Sequence, residues 1–497
     1  MLPMITRSPK FVVHLALLLF AGALGRGWLI AHTAVPARDG IGFINYALRL
    51  QSEPWQQVIR ESHHPPGFPG LILFAGQIVA WWGIPLTPDC WVLTAQCVAA
   101  VAATLAVVPL YLTGRLLFGP TAGFLAAWIF QSLPVCLQVT SDVLSEGVFL
   151  FFAAWAMYWG VLSVSSGSSL AAILCGISAG AGYWTRPEGI ELAITSAMSL
   201  VLAGAIHRQW KRFTVAILAV LVGLLPFVLG YCHMTGRFSN KPTAQQILGS
   251  ESAAIRMNCT SGPVIAAFWD PEVNAGQSRA LWAFQSVVKE ATHTAHGFGL
   301  VAALVAVVWC RQRLRGEPAL WFPIILMTLH LGVLWRVAMV VGYVSQRHAL
   351  LAILGACLLC GGLFASWGRS WRCSIWMWSA LFLFVGWAVA LKPLHGQRIG
   401  YREAGRWLAT QIRDGDEIID PSAWARFYAG QMGVFSPDNH LLATGRQFVV
   451  LELRPGGSRR LHLLPWAEEI ARFGQPVFRW PSDDNARIVI YQVTRGS

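Results

Sequence analysis

Apolar runs separated by short polar loops fill most of the chain. They lie near 11–31, 68–83, 90–113, 120–139, 144–164, 169–185, 189–206, 213–235, 294–310, 318–342, 348–367 and 374–391. Most approach or exceed the ~20 residues that carry a helix across a bilayer. Beyond residue 392 the apolar density drops and the periodicity of a water-exposed fold takes over. Residues 402–412 read as a helix, 417–419 as a short strand, 423–429 as helical, and 448–453 and 488–493 as strands. The pattern predicts an all-α polytopic membrane domain over 1–391 and a small α/β domain over 392–497.

The charges in the loops orient the helices. Arg7 and Lys10 precede the first run, and further basic groups fall at Arg115, at 207–212, at Arg311, Arg313 and Arg315, and at Arg369 and Arg372. The positive-inside rule places all of them in the cytoplasm. The first run is long enough to be an uncleaved span rather than a signal peptide. If 68–83 also crossed, every later basic cluster would fall outside. This run is short, opens beside Gly and Pro, and ends Trp81-Trp82-Gly83, so it reads as an interfacial helix. About eleven spans remain, and the first outer loop extends over 32–89. The same parity puts 140–146, 185–188, 236–293, 343–348 and the segment after about 392 outside.

Composition agrees with a membrane protein. Of 497 residues 55% are hydrophobic and 12% charged, with a mean hydropathy of +0.52. The 24 Trp fit the aromatic belts of the two interfaces. The net charge of +13 sits largely in short loops, which is a topogenic pattern and not a nucleic-acid surface. The ten Cys lie mostly in apolar runs, without zinc-type or secreted-disulfide spacing. A bridge from Cys259 to Cys90 or Cys232, near the outer helix ends, is the pairing the topology leaves open.

The polar features gather on the outer side. Asp39 precedes an amphipathic pattern (Phe43, Tyr46, Ala47, Leu50) and reads either as a helix N-cap or as a general base whose pKa the apolar surroundings raise. His63-His64-Pro65-Pro66-Gly67 reads as a turn between two helices, as a substrate contact, or as support for Asp39. No H-x-x-x-H or H-E-x-x-H pattern favours a metal. Asp142 and Glu146 are four apart at a helix start, where the dipole favours acids. On one helical face they would also form a second acidic site for acceptor hydroxyls or a metal. Arg26, Arg186, Arg336 and Arg347 lie within or at the ends of apolar runs, toward the outer leaflet. They read as snorkelling groups or as cations that hold a lipid phosphate. Glu188 beside Arg186 admits mutual neutralisation.

Asp39 with Tyr46 and Ala47, then 64–69 (His-Pro-Pro-Gly-Phe-Pro), Ser141-Asp142 through Phe149, 185–189 (Thr-Arg-Pro-Glu-Gly) and Gln346-Arg347 follow one another in a recognisable order. Over about 10–367 the sequence resembles the GT-C superfamily of polyprenyl-phosphate-sugar-dependent glycosyltransferases. Within it the likeness is to the branch containing protein O-mannosyltransferases, lipid A aminoarabinose transferases and lipopolysaccharide-core galacturonosyltransferases. The resemblance implies an outward-facing cavity with interfacial helices in the first outer loop. It implies Asp39 as the catalytic acid residue of that loop, Asp142 as the acidic position of the second, and Arg347 as the group facing the lipid phosphate. Asp142-Val143 stands where many relatives have an acid followed by Pro, and Arg347-His348 where relatives often have Arg-Tyr.

The expected function is therefore transfer of a sugar from a polyprenyl-phosphate carrier to a hydroxyl of a glycolipid, lipopolysaccharide or protein, with inversion. The setting is the outer face of a bacterial inner membrane. The expectation includes no cofactor, no bound metal and no nucleic-acid partner. Two other readings use the same features: a transporter or flippase for a lipid-linked sugar, against which the lack of an internal repeat counts, and a membrane anchor for the C-terminal domain.

Overall fold

The computed structural model describes residues 9–247, 266–269, 274, 276–297, 299–370, 375–432, 445–453, 464–482 and 485–493. Arg7, Cys259 and Arg372 lie outside the described residues, whereas Cys90 and Cys232 are free thiols. The membrane helices follow the apolar runs. They begin with α1 (Pro9–Ala31), and the first loop carries α2 (Arg38–Ser52), α3 (Trp55–Glu61) and α4 (Gly67–Trp81). Next come α5 (Pro88–Leu105), α6 (Val107–Phe118), α7 (Pro120–Ser132), α8 (Pro134–Val139), α9 (Glu146–Ser166), α10 (Ser169–Tyr183), α11 (Gly189–His207), α12 (Trp210–Thr235) and α13 (Pro242–Ile247). After a short strand β1 (Ala266–Phe268) come α14 (Arg279–Thr294), α15 (Gly299–Trp309) and α16 (Trp321–Val341). Strand β2 (Tyr343–Ser345) pairs antiparallel with β1 and leads into α17 (Leu350–Ser370) and α18 (Ile375–Ala390).

Local chemistry sets the breaks. Thr87 accepts a bond from the Cys90 N–H at 3.3 Å and Pro88 opens α5, a capped start. The run 120–139 divides because Pro134 forces Leu133 out of helical geometry (φ −67°, ψ 125°). Among the described residues seven helices are long and apolar enough to cross a membrane, or eight if α14 and α15, bent by 93°, form one span. The count of about eleven spans treated the runs at 120–139, 169–185, 294–310 and 374–391 as crossings; they fold as shorter or broken helices. Helix α14 was not visible in the apolar runs because charged residues interrupt its buried stripe of Trp282, Val287 and Ala291.

The first loop is fastened by two glycines where backbones meet. A Cβ on Gly67, at the end of the His-Pro-Pro turn, would stand 2.6 Å from the Trp184 carbonyl oxygen, to which the Gly67 N–H donates at 2.7 Å. A Cβ on Gly40 would stand 2.7 Å from the Val143 Cβ. These approaches press α2 and α4 onto the turns that precede α9 and α11. Helix α4 has 15 residues and so spans about 22 Å, short of the ~30 Å hydrocarbon core; Phe74, Ile78 and Trp81 project from it.

Beyond α18 lie α19 (Ile399–Gln411), β3 (Glu417–Ile419), α20 (Trp424–Tyr428), β4 (Gln447–Glu452), α21 (Leu464–Ala471), β5 (Gln475–Trp480) and β6 (Ile488–Val493). The sheet order is β3-β4-β6-β5, with β3 parallel to β4 and the other pairs antiparallel. Alternation along β4 fixes two layers. Phe448 and Val450 face α19 in one apolar cluster, while Val449 and Leu451 face α21 in another. The first of these clusters continues into Ile41, Phe43 and Ile44 of α2, so the sheet layer and the first loop share one core.

Replacement of Gly67 by Val will lower stability by about 1–3 kcal/mol, read by thermal unfolding of the purified protein. Gly42→Ala, where an added Cβ meets nothing within 4 Å, will leave stability unchanged or raise it by about 0.5–1 kcal/mol.

Candidate active site

Five segments converge. Asp39 is the second residue of α2, and its N-cap is Ala37, so the carboxylate does not cap the helix. It instead accepts a bond at 2.8 Å from Arg347 Nη2, 308 residues away in the tight turn before α17. Arg347 Nε lies 3.8 Å from Glu146 Oε1 at the start of α9, and Arg186 Nη1 donates to that same oxygen at 2.6 Å. Arg186 Nη2 then reaches Glu188 Oε1 at 3.0 Å, which also accepts from Lys241 Nζ at 3.2 Å. The result is a chain of alternating charge: Asp39, Arg347, Glu146, Arg186, Glu188, Lys241. Such alternation is how poorly solvated ions stay charged, since each has an opposite neighbour. A cavity lined by Glu146, Arg186, Glu188, His330 and Arg347 opens beside it.

The turn bearing Arg347 is held from two sides. Thr294 Oγ1 on α14 donates to the Gln346 carbonyl at 2.9 Å, and His330 Nε2 on α16 donates to the His348 carbonyl at 2.7 Å. A carbonyl only accepts, so His330 must carry its proton on Nε2. Its Nδ1 lies 2.7 Å from Glu191 Oε2, so the buried pair shares a further proton on one side or the other.

The electrostatics reverse one expectation. Partial burial alone would push the Asp39 carboxyl up, but the charge and hydrogen bond of Arg347, with His64 and Arg38 behind it, hold it below the ordinary range. Burial likewise opposes ionisation of Glu188, yet Arg186 and Lys241 keep it well below the usual carboxylate range. Lys241 is lowered by burial, with Glu188 opposing.

Several expected site residues lie elsewhere. Arg26 is buried in α1, where its Nε donates to Thr140 Oγ1 at 3.0 Å and its Nη1 to the Gly22 carbonyl at 3.2 Å. Arg336 is exposed on α16, in line with snorkelling. Asp142 and Glu146 do not share a helical face, because α9 begins at Glu146 and Asp142 stands in the preceding turn. Asp142 is fully buried: Oδ1 accepts the N–H groups of Ala37 and Val143 at 2.9 and 2.7 Å, and Oδ2 lies 2.7 Å from His395 Nε2. A carboxylate so committed has no oxygen left for an acceptor. His63 and His64 are exposed in the turn between α3 and α4, with the His64 ring 4.8 Å from that of Phe43. Tyr46 packs on Val58 and Ile59 and so supports the loop. Among the described residues no group of three or more His, Cys, Asp or Glu is placed to hold a metal ion.

Lys241, Glu191, His330 and His395 were not among the sequence candidates. Glu191 and His330 carried a usable signal, since an ionisable group inside an apolar run is costly and needs a reason. Lys241 and His395 sit in polar loops, where nothing distinguishes them. A second cavity, lined by Ile129, Leu133, Ile353, Cys357, Phe364 and Phe382 among others, lies between α7, α17 and α18. Its lining is mostly apolar, with Ser132 and His296 as the polar side chains and no acid, Lys or Arg, so it suits a hydrocarbon chain.

Comparison with known proteins fits this architecture. The family model described as dolichyl-phosphate-mannose-protein mannosyltransferase matches residues 91–231. No curated protein matches the sequence. Among solved structures, ArnT from Cupriavidus metallidurans bound to undecaprenyl phosphate is similar over 98% of both chains, at 13% identity and a TM-score of 0.61. The archaeal oligosaccharyltransferase AglB from Archaeoglobus fulgidus, in complex with an inhibitory peptide and a dolichol-phosphate, is similar over 98% of this chain and 75% of its own, at 12% identity and a TM-score of 0.56. By architecture this integral membrane chain is therefore a protein of GT-C fold, of the kind seen in ArnT and AglB.

Proposed function

We propose that the chain is a glycosyltransferase that moves a sugar from a polyprenyl-phosphate-linked donor to a hydroxyl of a glycolipid, lipopolysaccharide or protein. The site faces outward from a bacterial inner membrane. The observation that carries the reading is the meeting of Asp39 with Arg347 at 2.8 Å beside the polar cavity. One is a base for an incoming hydroxyl and the other a cation for a departing phosphate. The similar ArnT structure has undecaprenyl phosphate bound and the AglB structure a dolichol-phosphate, which supports a lipid-linked donor here.

The residues divide the work as follows. The acceptor hydroxyl gives its proton to an Asp39 oxygen while its own oxygen attacks the anomeric carbon. The bond from that carbon to the phosphate oxygen breaks, and the phosphate leaves with the electron pair. Direct displacement inverts the anomeric centre. A phosphate leaves already charged, so no general acid is needed. Arg347 supplies paired donors to it, and Arg186 stands next in line. The isoprenoid tail then runs along α17, whose apolar cavity begins at Ile353, about 9 Å below Arg347 by helical rise. These arginines do for the phosphate what a divalent metal would do, and chelators will leave the rate unchanged.

Asp39→Asn in purified, reconstituted protein will lower the transfer rate by about 10²–10⁴-fold without weakening donor-lipid binding, which will tighten where the phosphate no longer competes with a carboxylate for Arg347. Arg347→Ala will weaken donor-lipid binding itself. Movement of labelled lipid between leaflets without any glycosylated product would overturn the reading in favour of transport.

The pH dependence has a defined sign. Asp39 works ionised, and Arg347 holds it below the ordinary carboxylate range. The acid limb of kcat/KM, which reports the free enzyme, will therefore lie below about pH 4. A bound phosphate draws on Arg347, so the acid limb of kcat will lie at higher pH. Desolvation lowers the His64 imidazole to about 4, so a kcat/KM limb near the ~6.5 of an ordinary histidine would contradict Asp39 as the base without pointing to His64.

A further inference from the structure

We propose that the part of the chain beyond residue 391 positions Asp39, with Asp142, His395 and Trp424 as the positioning residues. The proposal rests on the glycosyl-transfer reading above and adds a role for the sheet layer.

The segment 34–38, which leads into Asp39, takes its hydrogen bonds from two sources. The Ala34 N–H donates to the Leu394 carbonyl at 3.0 Å, and Trp424 Nε1 donates to the Pro36 carbonyl at 2.8 Å. Arg38 Nη2 donates to the Pro421 carbonyl at 3.0 Å. The Ala37 N–H donates to Asp142 Oδ1 at 2.9 Å, and His395 lies 2.7 Å from the other oxygen of that carboxylate. Asp142 thus ties the first outer loop, the second outer loop and the exit from α18 at one buried point.

The anchors are themselves fixed. Trp424 is buried, with its ring 5.2 Å from Tyr401 and the Arg398 guanidinium 4.7 Å over its face. Asp420 accepts N–H bonds from Ser422, Ala425 and Arg426 at 2.8, 2.7 and 3.2 Å, which sets the start of α20 and hence Trp424. His395 stands at φ 54°, the left-handed region that a side chain seldom adopts. A base misplaced by 1 Å loses about 10²-fold in rate, so a loop hung in this way transmits any slack directly to Asp39.

The test uses full-length protein in detergent or vesicles. Asp142→Ala will lower kcat by about 10²-fold and Trp424→Phe by about tenfold. The donor KM and donor-lipid affinity will stay within about twofold, because Arg347 is untouched. Hydrogen–deuterium exchange at residues 34–40 will speed up in both variants. Asp142→Asn keeps an oxygen for the Ala37 N–H and, once His395 carries its proton on Nδ1, offers an N–H to its Nε2, and will restore most of what Asp142→Ala loses. An Asp142→Asn variant as slow as Asp142→Ala would overturn the proposal by showing that the charge itself is needed. Unchanged exchange and kcat in Trp424→Phe would overturn it as well. The exchange measurement needs no substrate. A wild-type protein that transfers no sugar while exchange responds as expected would therefore refute the activity reading and support the clamp.

Discussion

The contact between Asp39 and Arg347 is the interaction on which the rest depends. Neither charge is well solvated: the two side chains are 24% and 16% exposed. Each would be costly without the other. Beyond them the network runs through Glu146, Arg186 and Glu188 to Lys241, with as many carboxylates as cations. The site is therefore electrically balanced when empty. A phosphate that enters it must compete with a carboxylate for an arginine. If it takes Arg347, Asp39 loses the partner that keeps it a weak base. In the proposed mechanism, binding of the leaving group and activation of the base are then one event, which would keep the base quiet until a donor is present.

The fold brings these groups together by fixing turns rather than by lengthening helices. Gly67 sits on the Trp184 carbonyl and Gly40 on Val143, so the first loop lies against the turns that carry Arg186 and Glu146. Thr294 and His330 hold the turn that carries Arg347. The sheet layer takes the remaining side, through the core it shares with α2. Each segment contributes one or two charged groups, and the spacing among them is set by backbone contacts that leave little slack.

Much of this was legible in the sequence because burial writes periodicity. The apolar runs marked the membrane helices, and the alternation at 448–453 and 488–493 marked two strands that lie in the sheet. Strand β5 was missed because it begins Gln-Pro, sits at the sheet edge and is half-exposed, so it shows no clean alternation. Of the ion pairs in the network, only that of Arg186 with its near neighbour Glu188 was legible, because the other partners are distant in sequence. All four arginines were candidates for the lipid phosphate, yet only Arg186 and Arg347 join the network, while Arg26 is buried in α1 and Arg336 is exposed on α16. Asp142 looked like a second acid and is bonded into a joint, because its role depends on Ala37 and His395, which no local pattern connects to it. The lowered basicity of Asp39 followed from Arg347, and an apolar neighbourhood alone argued the opposite.

The most direct test of this account is a structure of the protein with a polyprenyl phosphate bound. The account predicts phosphate oxygens on the Arg347 guanidinium and a broken contact between Arg347 Nη2 and Asp39 Oδ2, now 2.8 Å, with Asp39 turned toward the open cavity. A phosphate bound away from Arg347, with the Arg347–Asp39 contact intact, would contradict it.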